Sequence, residues 1–191
     1  MPAGGEMDPE RRDFLRGTLL TRTGRSGAAR RRQPLGPLPP GMRGLLEPGT
    51  CRTCHRPCVA ACGQDIVRIH PDGHALAGIP WLDFSAAGCT FCGECVRACP
   101  YLVAGDDAAA PTLGTARLER GRCLNWQGVI CRSCLGACPV QALQQDRHRR
   151  VIVTADRCTG CGMCIAICPA DALVVAPRES TAAPRNARSA S

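Results

Sequence analysis

The chain has 191 residues, of which only 3% are aromatic and 16 are cysteine. That leaves little large side-chain volume for an ordinary apolar core and points instead to metal or cross-link staples. The formal charge of +8 comes from arginine alone and sits at the ends, about +5 over residues 1–43 and +2 over 177–191. The middle has no basic face interleaved with aromatics, which argues against nucleic-acid binding.

The N-terminal string "MDPERRDFLRG" carries an Arg-Arg pair before Phe-Leu, the look of an export signal. Such a signal needs an apolar region of about 7–15 residues after its charges. Arg22, Arg25, Arg30, Arg31 and Arg32 stand where that region would lie, so the export reading fails. Nor does any stretch approach the roughly 18 apolar residues of a membrane span. Asp8-Pro9 reads as the N-cap and first turn of a short helix, with Phe14, Leu15 and Leu19 on one face. Such a segment is either a solvated arm or a docking helix. Up to "PLGPLPPG" the chain reads as a stiff extended linker.

Residues 50–176 hold four cysteine groups: "CRTCHRPCVAAC", "CTFCGECVRACP", "CLNWQGVICRSCLGACP" and "CTGCGMCIAICP". Four cysteines fall in each, with none left over, so the chain contains an internal repeat. After group one, "GQDIVRIHPDGHALAGIPWLDF" predicts a strand, a Pro-Asp-Gly turn and a returning strand. "PYLVAGDDAAAPTLGTARLERGR" shows no strand pattern and reads as a linker. After group three, "VQAL" predicts a short helix, "QQDRHRR" a polar turn and "VIVTADRC" a strand. "ADALVV" repeats helix and strand after group four. Groups one and two therefore form one module, and groups three and four another. The expected divisions are a flexible N-terminal arm (1–49), a first module (50–105), a linker (106–122), a second module (123–176) and a flexible tail (177–191). The fold class expected is α+β.

C-x2-C-x2-C-x3-C-P is the bacterial iron–sulfur run. A tight loop sets three thiolates around one cluster, and the fourth faces a neighbouring cluster. Cys89, Cys92, Cys95 and Cys99-Pro100 match it at every position, as do Cys158, Cys161, Cys164 and Cys168-Pro169. Structural zinc favours two separated C-x2-C pairs, and disulfides belong to secreted chains. Group three is stretched: seven residues separate Cys123 from Cys131, which is followed by Cys134 and Cys138. Group one (Cys51, Cys54, Cys58, Cys62) has one extra residue and lacks the closing Pro, which suggests a labile, exposed or three-iron site. His55 is either a ligand there or an ordinary loop histidine. Gly93, Gly160 and Gly162 are expected at positive φ, where backbone N–H groups approach sulfur. Trp81 and Trp126 read as packing or shielding.

With the fourth cysteine crossing over, Cys51, Cys54, Cys58 and Cys99 would share one cluster, and Cys89, Cys92, Cys95 and Cys62 the next. Cys123, Cys131, Cys134 and Cys168 would hold a third, and Cys158, Cys161, Cys164 and Cys138 a fourth. The expected cofactors are four [4Fe-4S] clusters. No acid/base pair, nucleophile arrangement or phosphate loop stands out, so the chain is not expected to be an enzyme.

The second module resembles bacterial two-cluster ferredoxins. Residues 5–176 resemble the NapF family, ferredoxin-type accessory proteins of the periplasmic nitrate reductase system. The resemblance rests on "ERRDFLRGTL", the four groups in order and "CLNWQGVICRSC". It implies a cytoplasmic protein that binds the nitrate reductase catalytic subunit NapA and assists its maturation, helping to build its iron–sulfur cluster before export. An electron-transfer ferredoxin donating to a reductase is the alternative. Arg11, Arg12, Phe14 and Leu15 are the candidate contacts for NapA. Replacing all four by Ala should weaken NapA binding in a pull-down and leave iron content intact; undiminished binding would remove them from the interface.

Overall fold

A computed structural model describes residues 34–42, 50–101 and 112–176. The candidate contacts Arg11, Arg12, Phe14 and Leu15 lie outside the described residues, as do 177–191. The order of elements is α1 (Pro57–Ala60), β1 (Val67–Ile69), β2 (Pro80–Leu82), α2 (Glu94–Arg97), β3 (Thr115–Leu118), α3 (Ser133–Ala137), β4 (Leu143–Gln145), β5 (Val151–Val153), α4 (Met163–Ala166) and β6 (Leu173–Ala176), with a 3-10 turn at Ala155–Arg157.

Each helix is about one turn, far below the length at which a helix is stable in isolation. The surrounding loop imposes it. Gly93 and Gly162 enter α2 and α4 at φ of 77° and 79°, and Gly160 takes φ 72° one step earlier. These are the three glycines expected there. Phe91 takes φ 55° at the position matching Gly160, and Arg56 takes φ 58° before α1. The residue two places after the left-handed entry is the third cysteine in each of these groups: Cys58, Cys95 and Cys164. His55 is therefore the extra residue of group one, accommodated before the entry so that Cys58 keeps its place on the helix.

The strands form three two-stranded antiparallel ladders. β1 pairs with β2, with Arg68 opposite Trp81. β4 pairs with β5, with Gln144 opposite Ile152. The polar turn between β4 and β5 is closed by Asp146, whose Oδ1 accepts the backbone N–H of His148 and of Arg150, each at 2.8 Å. β3 pairs with β6, Thr115 opposite Ala176 and Leu118 opposite Leu173.

Two sequence expectations are corrected here. Thr115–Leu118, expected within a strandless linker, is a strand of the second module, so 106–122 is not all linker. Its inward residue is Ala116, buried but small, and its outward residue is Arg117, so the alternation carries little hydrophobic contrast. The short helices expected at "VQAL" and "ADAL" are also absent. Gln141 and Asp171 adopt φ of 50° and 45°, as Asp65 does at the matching point of the first module. Their N–H groups reach back to the carbonyls of Cys138 and Cys168 at 3.1 and 3.3 Å, three residues earlier. The left-handed residue ends the turn and drops Ala142-Leu143 and Ala172-Leu173 into the core as strand starts.

One core gathers Met42, Ile66, Val67, Leu82, Phe84 and Leu113 around Cys58 and Cys95. The other gathers Ala116, Ala142, Leu143, Val151 and Leu173 around Cys134, Cys158 and Cys164. Ile165 packs against both. The modules are pressed together: a Cβ on Gly88 would stand 2.6 Å from the backbone nitrogen of Met163. A Cβ on Gly162 would strike the ring of Phe84.

Residues 34–42 strap the first module. Leu82 N–H donates to the Pro37 carbonyl at 2.8 Å. Leu35 N–H donates to Nε2 of His70 at 3.2 Å. His70 is buried, its Nδ1 lies 2.7 Å from the Ile79 carbonyl, and it stacks on His74 with ring centroids 4.6 Å apart. With the proton on Nδ1 donating to Ile79, Nε2 is the acceptor that Leu35 needs. A second proton would remove that acceptor. Burial holds the His70 pKa below its ordinary 6.5, and the neighbouring His74 works in the same direction. The contribution of neutral His70 is therefore complete above about pH 6.5 and is lost as pH falls below it. The protection factor of the Leu35 amide against hydrogen exchange should fall on going from pH 7.5 to 5.5; an unchanged protection factor would separate the strap from His70.

Candidate metal centres

The chain returns each fourth cysteine to the partner group. Helices α1 and α2 pack together in the first module, α3 and α4 in the second. The cysteine just past each helix therefore faces the loop of the other group. Cys51, Cys54, Cys58 and Cys99 line one cavity, with Met42, Ile69 and Tyr101. Cys123, Cys131, Cys134 and Cys168 line a second, with Leu118, Val151 and Leu173. Cys138, Cys158, Cys161 and Cys164 line a third, with Ala116, Leu143 and Val175. Each encloses about 290–370 Å³ of empty space, counting the part open to solvent. Cys62, Cys89, Cys92 and Cys95 form the remaining set: the Cys95 thiol is pushed up to about 11, by burial first and then by Cys89, Cys62 and Cys92.

The chemistry of these donor sets fits a cluster better than a single ion. The sulfurs are spread around a space, as a many-atom cubane requires and a tetrahedral zinc does not. His55 is exposed and does not line the cavity of its group. Nothing in its position makes it a ligand.

Electrostatics give the same answer. Burial, followed by the neighbouring thiols, raises Cys51 and Cys58, takes Cys134 to about 11 and takes Cys164 to about 12. Thiols raised in this way ionise readily only with positive charge beside them, which cluster iron would supply. The backbone supplies smaller terms. Phe91 N–H points at Cys89 Sγ (3.4 Å), Ala116 N–H at Cys158 Sγ (3.3 Å), Ala142 N–H at Cys138 Sγ (3.2 Å) and Ala172 N–H at Cys168 Sγ (3.4 Å). Such donors stabilise anionic sulfur and tune a cluster's potential. The Ala116 contact comes from the strand that the sequence did not reveal.

The two modules differ in exposure. Cys158, Cys161 and Cys164 are all buried, whereas Cys92 is exposed and Cys51, Cys54 and Cys89 are half-buried. The sites also abut across the module boundary, where Cys89 N–H donates to the Cys161 carbonyl at 2.7 Å. Trp81 is part of the packing near His70, 6.0 Å between rings. Trp126 does more than shield: it hydrogen-bonds to β5, a role invisible in the sequence.

Residues 50–103 and 116–175 each match a family described as a 4Fe-4S dicluster domain. Two such domains in tandem, with sixteen cysteines, account for up to four [4Fe-4S] clusters. Among curated proteins the chain is 32% identical to the methylamine utilization ferredoxin-type protein MauM of Methylorubrum extorquens, over 74% of this chain and 72% of that one. It is 30% identical to the ferredoxin-type protein NapG of Escherichia coli, over 83% and 80%. It is 28% identical to the ferredoxin-type protein NapF of Escherichia coli, over 64% and 73%.

Crossed ligation makes a non-additive prediction. In reconstituted protein, Cys58→Ser with Cys99→Ser should cost about one quarter of the iron, no more than either alone, because both serve one site. Cys95→Ser with Cys99→Ser should cost about half. The reverse order in an iron assay would mean that each group holds its own cluster.

Proposed function

This chain belongs to the family of ferredoxin-type 4Fe-4S proteins represented by MauM, NapG and NapF, and from that premise we propose that it is an electron-transfer accessory protein serving a partner redox enzyme. The observation that carries this reading is the contact between modules. The sets around Cys89 and Cys161 meet through a 2.7 Å backbone hydrogen bond, so the four sites form one connected body. When bound, [4Fe-4S] clusters supply one-electron redox chemistry. The chain's residues hold the sulfurs, aim N–H groups at them and line the cavities with apolar side chains such as Leu118, Leu143 and Val175. Such a lining limits water and keeps the reorganisation that accompanies a charge change small.

A second reading has its own support. The half-buried and exposed cysteines of the first module are suited to a cluster that is built or lost readily. In that reading the protein binds the nitrate reductase catalytic subunit NapA in the cytoplasm and assists cluster assembly before NapA is exported. The arm carrying Arg11, Arg12, Phe14 and Leu15 would make part of that contact. Among the described residues no helix is long and apolar enough to cross a membrane.

One experiment separates the two. The partner nitrate reductase is isolated from a strain lacking this gene and assayed with an artificial low-potential dye, alongside its iron content. Normal dye-driven activity with a failed physiological reaction is expected for an electron carrier. Low dye-driven activity together with low iron would replace that reading with maturation.

A further inference from the structure

The seven residues between Cys123 and Cys131 set group three apart from the other three groups, and in the fold they are held by a dense set of contacts. Val151 opens β5 and is almost fully buried, with a relative exposure of 1%. Its backbone N–H donates to Asn125 Oδ1 at 2.8 Å, and its carbonyl accepts from Trp126 Nε1 at 2.9 Å. Asn125 Nδ2 also donates to the Arg149 carbonyl at 3.2 Å. Two adjacent side chains thus satisfy both polar groups of one strand residue, as a neighbouring strand would. The Trp126 ring is covered by Arg120 at 4.4 Å and Arg150 at 4.9 Å from its centroid. Gln127 Nε2 closes the base of the excursion on the Gly121 carbonyl at 2.6 Å.

We propose that Asn125 and Trp126 are positioning residues for the cavity of Cys123, Cys131, Cys134 and Cys168. They dock the excursion onto the free edge of β5 and so hold Cys123 against the other three thiols across a gap that the compact loops of groups two and four do not have. Asn125 itself lines that cavity, as does Val151. In the compact loops a two-residue spacing confines the first thiol. A seven-residue spacing leaves Cys123 far more conformations, and the entropy of that freedom has to be overcome by contacts elsewhere. The Asn-Trp clamp is the contact placed to do so. The proposal rests on the reading that these four cysteines hold one cluster.

The test uses full-length protein reconstituted with iron and sulfide under anaerobic conditions. Iron per chain and the time course of iron release to a chelator are recorded for Cys123→Ser, Asn125→Leu, Trp126→Phe and Asn125→Asp. Cys123→Ser should lose about one quarter of the iron. Asn125→Leu leaves the buried Val151 N–H without an acceptor. About one quarter of its iron should leave roughly tenfold faster than in the parent, the remainder at the parent rate. Trp126→Phe removes the Nε1–H donor together with part of the ring that Arg120 and Arg150 cover, should show the same selective fast phase, and carries the test if Asn125→Leu fails to fold. Asn125→Asp keeps an acceptor for Val151 and should restore slow release. If Cys123→Ser loses its quarter while both clamp variants release iron like the parent, the clamp does not position Cys123. Acceleration spread over both second-module sites would make the pair a general prop for β5 and overturn the proposal as well. Full iron retention in Cys123→Ser would overturn the ligand assignment itself, and the clamp proposal with it.

Discussion

Everything in this protein depends on bringing four thiol groups to one small, half-buried space, four times over. Left to themselves the sulfurs resist it: burial and mutual repulsion push Cys95 and Cys134 to about 11 and Cys164 to about 12. A cationic centre reverses that balance, because metal charge among the sulfurs favours the thiolate. The apolar core is small and built largely from alanine, valine, leucine and the cysteines themselves. Cluster binding is thus also folding free energy.

The same constraint explains the odd local structure. A single turn of helix cannot stand alone, yet every cysteine group contains one. Left-handed residues at Arg56, Gly93 and Gly162 start the turns in three of the groups. Left-handed residues at Asp65, Gln141 and Asp171 follow three of the fourth cysteines and send the chain into a strand. Between these bends the third and fourth cysteines are four residues apart and serve different cavities. The crossing ties each pair of groups into one unit, since neither cavity is complete without the other group.

The modules are joined as closely as their halves. Gly88 lies against the backbone of Met163, Phe84 against Gly162, and Cys89 N–H against the Cys161 carbonyl. Phe84 is one of only three phenylalanines in the chain, and it stands at this junction. The position of the large side chains tells more than their number. Trp126 ties a loop to a strand, and the other tryptophan, Trp81, packs beside buried His70 under the strap.

The sixteen cysteines and their spacing by themselves pointed to iron–sulfur clusters and the two-module plan, because a cubane fixes how far apart its ligands stand along a tight loop. The β-hairpin after group one was equally legible: a Pro-Asp-Gly turn separates two hydrophobic runs, a local signal. What failed was non-local. β3 is a strand only because β6 lies beside it, with 55 residues or more between paired positions such as Leu118 and Leu173. "VQAL" and "ADAL" carry helix-forming residues, but Cys138 and Cys168 must turn toward the other group's cavity, and tertiary closure overrides propensity. Nor did spacing reveal what holds Cys123 in place. Asn125 and Trp126 look ordinary in the sequence, and their role exists only where the free edge of β5 passes beside them.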